Sequence, residues 1–451
     1  ALAIQQVQGT DGYVGRLAFD DPDHYRVYAE KVLRYESRPP QPGPSRAAFF
    51  TVHDGTEATT AGYESLVRPG VALAQRKVME RRLAAGEIAD AGDKVIPSRD
   101  ELLQLSAVRD AGVLFTLSHG AGAPRAGWKT AMDQRLRQGA MSFGSDGLLL
   151  GADLAERPFL PGGIWFMLAC YGAGTPDSSA YHRWLQRLSS LGEYADAAAA
   201  VLRGLPQPGE RPFIAALPKA VLQNPEGPLA FMGHIDLAWT YSFSELDSGS
   251  AVDRPARFIQ IIADVLRGHR SGIGFRSLML ALGATQTELA TLYDQQELIG
   301  TAEPSSRQEA RRGHLWMLRQ DLCSYILLGD PAVRLPLSGS AGSSAEPLAA
   351  KPSIRTEAPG AQPPEARGGP PPSVQEPLPL DRLERAIAQV VLEPRRLEEL
   401  ARELRLSVSE LEEACTHYRQ AGRRAVEAMP RPDSARAAPG VDQLDPVRDL
   451  G

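Results

Sequence analysis

Cys170 closes the apolar run IWFMLAC (164–170), and Tyr-Gly-Ala-Gly (171–174) follows at once, small enough to turn the chain sharply. His119 closes a second apolar run, LFTLSH, and is followed by Gly120; the two side chains lie 51 residues apart. A thiol near its free pKa of about 8.5 is only a few per cent thiolate at neutral pH, and a neighbouring imidazole can take its proton. Thiol and imidazole together predict nucleophilic catalysis, with Cys170 attacking a carbonyl and His119 serving as base and then acid. Gly120 carries no side chain, so its backbone N–H can approach a substrate. With the N–H of Cys170 it makes a donor pair for the oxyanion of a tetrahedral intermediate.

These residues need a scaffold that brings distant segments to one place. AAFFTVHD (47–54), GVLFTLSHG (112–120), IWFMLACYG (164–172) and PLAFMGHID (228–236) each read as a strand buried on both faces. Amphipathic stretches lie between them at 63–86, 98–112 and 211–227, and Ser98 with Glu101 forms a capping-box pattern. Strands alternating with helices predict an α/β domain with a largely parallel sheet. In such sheets ligands bind beyond the carboxyl ends of the strands, and His53, Asp54, His119, Cys170, His234 and Asp236 all fall there.

Asp54 and Asp236 are the carboxylates at those ends, and Trp239 is an aromatic able to wall a pocket. With His53 they are the candidates for a substrate pocket, where an acidic floor selects Arg or Lys through a charge-assisted pair. Two local readings compete. Asp54 before Gly55 suits an Asx turn, and Asp236 suits a helix cap. His53, His119 and His234 lack the local spacing of a zinc site, so neither metal nor cofactor is expected. Asp330 before Pro331 reads as a turn residue, and Cys323, on an apparent helix running from His314 into Tyr325–Leu328, as core.

The 451 residues are 43% hydrophobic and 23% charged, as in a globular protein, with a formal charge of −6 that gives no polyanion-binding footprint. No apolar run reaches the roughly 18 residues of a membrane span, and no leader is visible. Cys170, Cys323 and Cys415 are scattered without CxxC spacing, which fits a reducing, cytoplasmic setting.

Residues 338–378 are rich in Pro, Gly, Ser and Ala and read as a flexible linker after a body at 1–337. Residues 379–429 read as a small helical domain with an apolar stripe at Leu397, Leu400, Ala401 and Leu404, and 430–451 as a disordered tail. Its Ser407 and Glu410 repeat the capping-box pattern, and the helices have a helix–turn–helix look. Nine arginines against ten acidic residues between Leu380 and Ala428 leave no basic face, which argues against nucleic acid and for a regulatory protein partner.

At this point the body resembles a caspase-fold cysteine peptidase of the gingipain, clostripain and CHAT-domain group. The resemblance rests on LFTLSHG, FMLACYGAGTP, AFMGHIDLAWTYSF (230–243) and the GDP-containing segment YILLGDPAVRLP (325–336). A histidine about 50 residues ahead of the cysteine is also the caspase spacing. The likeness implies a three-layer αβα body with a mostly parallel central sheet, a His119–Cys170 dyad, and endopeptidase activity on proteins or peptides. Clostripain- and gingipain-like members often cut after Arg or Lys. Here LACYG stands where caspases carry QACxG, which separates this chain from aspartate-directed cleavage. Two other functions remain open: a catalytically silent scaffold with the same cleft, and a helix–turn–helix regulator acting through the C-terminal piece.

Overall fold

A computed structural model of the chain describes residues 12–337 apart from 39–44, 84, 92–97, 108–111, 125, 195–196, 207–210, 248–249 and 300–304. The linker, the helical domain and the tail expected at 338–378, 379–429 and 430–451 lie outside the described residues, as do the first eleven residues of the body.

Six strands build the central sheet: β1 (Ser45–Thr51), β2 (Ala85–Asp90), β3 (Gly112–Leu117), β4 (Ile164–Leu168), β5 (Ala230–His234) and β6 (Tyr325–Gly329). Their order across the sheet is β6-β5-β4-β3-β1-β2. Every neighbouring pair is parallel except β5 with β6. The four expected strands are β1, β3, β4 and β5. Every residue of β3, β4 and β5 is buried, which is why they read as unbroken apolar runs.

Successive strand residues point to opposite faces, and both faces are filled. On one, Phe115 stacks on Phe166 at 5.3 Å, and Phe258 of helix Ala256–Leu266 meets both rings edge-on. On the other, Trp165 packs against Phe159 and Phe231 and donates its indole N–H to Thr116 Oγ1 at 3.0 Å.

The Ser98–Glu101 capping box forms, with Glu101 N–H on Ser98 Oγ and Ser98 N–H on Glu101 Oε2. Two expectations need correction. The stretch 63–86 is a π-turn at Tyr63–Val67 followed by helix Arg68–Met79, and its end has already become β2. Helix Ser306–Cys323 stops at Cys323, and Tyr325 opens β6 instead of continuing the helix. Asp330 does fix a turn, accepting the Ala332 N–H at 2.8 Å.

One buried cation ties the helical layer together. Lys31, 1% exposed on helix Pro22–Glu36, donates to the carbonyls of Val221, Leu222 and Asn224 at 3.4, 2.7 and 2.9 Å. Those carbonyls lie at the end of helix Ala216–Gln223, where a cation also meets the negative end of the helix dipole. Burial holds the ammonium well below the usual lysine range, and the three carbonyls oppose that shift because only the charged form has three protons to give. Lys31→Met keeps the volume and takes this donor from the buried Val221 and Leu222 carbonyls, while the Asn224 carbonyl keeps the Gly227 N–H at 3.1 Å. We expect a loss of about 2–3 kcal/mol, read as a lower denaturation midpoint at unchanged slope.

Candidate active site

β3 and β4 are adjacent, with Leu117 level with Leu168, so His119 and Cys170 leave the sheet side by side at the same end. The ladder runs one step further, with Ser118 N–H donating to the Leu168 carbonyl at 3.3 Å. In strand order, β1 and β3 mark the place where the sheet reverses direction, which is where open α/β sheets bind ligands.

Gly120 lies directly against the peptide unit of Cys170. An ideal Cβ on Gly120 would stand 1.8 Å from the Cys170 carbonyl oxygen and 3.1 Å from its amide nitrogen. Only a residue without a side chain fits. Gly120 faces Met141 in an antiparallel bridge whose two hydrogen bonds are made by its neighbours, Ser142 N–H to His119 O and Ala121 N–H to Ala140 O. The N–H of Gly120 is therefore not used by the bridge. Among the described residues that N–H meets no protein acceptor, and the N–H of Cys170 meets none beyond its own sulfur.

The imidazole of His119 points toward the end of β1. Its Nε2 lies 2.8 Å from Thr56 Oγ1 and 3.6 Å from Asp54 Oδ2. Asp54 Oδ1 collects the N–H and hydroxyl of Thr56 and the hydroxyl of Thr59, at 3.2, 2.8 and 2.9 Å. A threonine hydroxyl has one proton, and that of Thr56 goes to Asp54. Its oxygen then accepts from Nε2–H, and a neutral imidazole so fixed leaves Nδ1 as a free base. Gly55, at φ +86°, makes the turn that delivers Thr56 as N-cap of helix Glu57–Gly62. Asp54 is thus engaged on the imidazole side of the site. His53, the other residue grouped with it, packs its ring edge-on against Tyr63 at 4.7 Å.

The sulfur of Cys170 faces the other way, toward β5. Its Sγ–H donates to the Ala238 carbonyl at 3.8 Å, and no hydrogen bond joins it to His119 among the described residues. Burial pushes the thiol up to about 11, and the carboxylates of Asp321 and Asp236 push the same way. At neutral pH that keeps the thiol in its protonated form. The turn after it is held tightly. Tyr171 N–H donates to Asp236 O and Ala173 N–H to His234 O, both at 2.9 Å. Tyr171 adopts φ +56°, an unfavourable backbone region for a bulky residue, directly after the candidate nucleophile.

Asp236 is 2% exposed and accepts the Leu237 N–H at 2.8 Å. Burial pushes its carboxyl up to about 6, against the hydrogen bonds of Ser179, Leu237 and Ala180. Trp239 stands beside it, ringed by Tyr181, Tyr194 and Tyr241. The structure thus brings His119, Gly120 and Cys170 together, with Asp54 behind the imidazole and Asp236 and Trp239 on the sulfur side.

Thr56, Thr59 and Asp321 escape the sequence reading. For Thr56 a usable signal exists: an Asp-Gly-Thr turn where a buried strand meets a helix start. Asp321 lies inside an ordinary helix and gives none.

His53, His119 and His234 do not converge, and among the described residues no group of three His, Cys, Asp or Glu side chains could hold a metal ion. Nor is any described helix long and apolar enough to cross a membrane. A crevice lined by Arg46, Ser106, Val113 and Leu160 sits at the amino ends of the strands, away from Cys170. No protein-family model matches the chain, and a search of curated proteins finds no match either.

Proposed function

We propose that this protein is a cysteine endopeptidase of the caspase-fold group, with His119 and Cys170 as its dyad and a three-layer αβα body. The observation that carries the reading is the contact of Gly120 with the Cys170 peptide unit, beside which the Gly120 N–H has no protein acceptor and the Cys170 N–H none beyond its own sulfur. A proton pair of that kind is what a developing oxyanion requires.

A bound peptide takes the place of the Ala238 carbonyl at Sγ. The thiol proton passes to His119 Nδ1, and the sulfur attacks the scissile carbonyl carbon. The oxygen that becomes negative is held by the amides of Gly120 and Cys170. His119 then returns the proton to the leaving nitrogen, and the C–N bond breaks to give an acyl-enzyme. Water, giving a proton to Nδ1, attacks the thioester and releases the acid and the free thiol. Thr56 and Asp54 hold the imidazole in the tautomer this sequence needs.

Asp236 and Trp239 are the residues we assign to the P1 pocket, with Arg or Lys preferred. An incoming cation favours the ionised carboxylate, so this preference should grow as pH rises through about 6, the value to which burial has moved Asp236. Residues 379–429 are the module through which a partner would regulate cleavage.

The test is a peptide library varied at P1, run at pH 5 and pH 7.5. Cleavage after basic residues, strengthened at the higher pH, supports the whole reading. Preference for Leu or Asp removes the pocket assignment. No cleavage at any residue favours the rival, a silent scaffold, to which the pairing of the thiol with Ala238 in place of His119 lends support.

If the peptidase reading holds, Asp54→Asn should lower kcat by about 100-fold with little change in KM. Loss of a carboxylate that fixes a catalytic tautomer directly costs about 10⁴-fold, and here the effect is relayed through one hydroxyl. Steady-state kinetics on the best library peptide measure it.

A further inference from the structure

The segment from Asp236 to Ser242 forms a strap along the sulfur side of the site. It supplies the carbonyl that engages Sγ and the carbonyl that fixes the turn after Cys170. We infer that Asp321, far from the dyad in sequence, is the residue that positions this strap.

Asp321 is fully buried near the end of helix Ser306–Cys323. Its Oδ1 accepts the Trp239 N–H at 3.0 Å, and its Oδ2 accepts the Ser242 N–H at 2.8 Å. The carboxylate therefore clamps the strap at two points on either side of its turn. Two further groups fix the clamp itself. His234 Nε2 lies 3.1 Å from Oδ1, and the Tyr181 hydroxyl donates to Oδ1 at 3.4 Å. The opposite edge of His234 lies against the Asp236 backbone, with Nδ1 2.8 Å from its carbonyl oxygen. One side chain thus joins helix, β5 and strap.

A buried carboxylate is costly to keep and is retained where its hydrogen bonds specify a conformation. Here the specified feature is the wall beside the nucleophile. The strap also presents Trp239, whose indole N–H is buried without a partner among the described residues. A buried donor left open is unfavourable in the free protein, and a substrate main-chain carbonyl is the partner that would satisfy it. Asp321 is a positioning residue: both its oxygens are occupied by the protein, so it does not itself meet substrate.

The inference rests on the peptidase reading only for its activity arm. Hydrogen exchange on the full-length wild type comes first, with the Trp239 and Ser242 amides expected to be protected like those of β5. Exchange of both at open-loop rates would overturn the inference without any variant. Asp321→Asn replaces one acceptor with an amide NH₂ facing an N–H, so both amides should lose protection while β5 keeps its own. Alkylation of Cys170 by iodoacetamide, mapped by mass spectrometry, should shift its pH midpoint down, because one of the two carboxylates that raise the thiol's pKa has lost its charge. On a cleaved peptide, KM should rise about tenfold or more with a smaller change in kcat. A folded Asp321→Asn with unchanged exchange and alkylation sinks the inference. Absence of cleavage in the wild type, with both other readouts as expected, sinks the peptidase reading and leaves the strap assignment standing.

Discussion

Cys170→Ala is expected to abolish peptide cleavage at every P1 residue, by roughly 10⁶-fold in kcat, the scale on which other hydrolases feel the loss of a covalent nucleophile. No other described thiol can substitute. Cys323 is 5% exposed at the end of a helix, and burial raises its pKa too. The fold should hardly notice. The thiol makes one long hydrogen bond, and its loss should cost at most about 1 kcal/mol. Activity and stability therefore separate, which is what distinguishes a nucleophile from a core residue. His119→Ala should lose almost as much activity, and the double variant scarcely more, since groups acting as a unit are not additive. The measurements are kcat and KM on the best library peptide with a thermal melt of each variant. Cleavage that survives Cys170→Ala would end the peptidase reading outright.

The residues that meet at the site were legible because of how a parallel sheet treats its strands. Interior strands must be apolar on both faces, and the chain can become polar only where it leaves the sheet. His119 after LFTL and Cys170 after IWFMLA mark that change sharply, and the parallel ladder then sets them level. β2 was hidden because AGEIAD lies at the sheet edge and carries polar residues, so it reads as the continuation of the helix before it. β6 was hidden because Cys323 and Ser324 offer no glycine or proline where helix gives way to strand.

The network around His119 and Cys170 was illegible for a different reason. Thr56 meets His119 across 63 residues, and Asp321 meets Trp239 across 82. Hydrogen bonds of such separation leave no periodicity in the chain. Asp54 shows the consequence. Its position at a strand end was readable, and its charge suggested a pocket floor, but the two threonines that turn it toward the imidazole become visible only in three dimensions.

Gly120→Ala is the variant on which sequence, fold and chemistry press together. The added methyl carbon would sit 1.8 Å from the Cys170 carbonyl oxygen and 2.8 Å from its carbonyl carbon. Neither neighbour is a flexible side-chain end; both are backbone held by the sheet and by the turn at Tyr171. Relief needs the His119–Ala121 segment or the Cys170 peptide unit to move by about 1 Å or more, against the hydrogen bonds that tie 119–121 to 139–142. Overpacking of this kind costs about 1–3 kcal/mol, so the protein should fold with a lowered melting temperature. Activity should fall much further. Loss of one oxyanion donor costs about 10²–10³ in kcat, and misplacing the nucleophile by about 1 Å adds about another 10². We expect a loss near 10⁴ or greater, carried by kcat, while Cys170 stays alkylatable because the thiol itself is still present. That combination sets this glycine apart from a turn residue. If it served only to turn the chain, alanine would lower stability and leave kcat of the folded fraction intact.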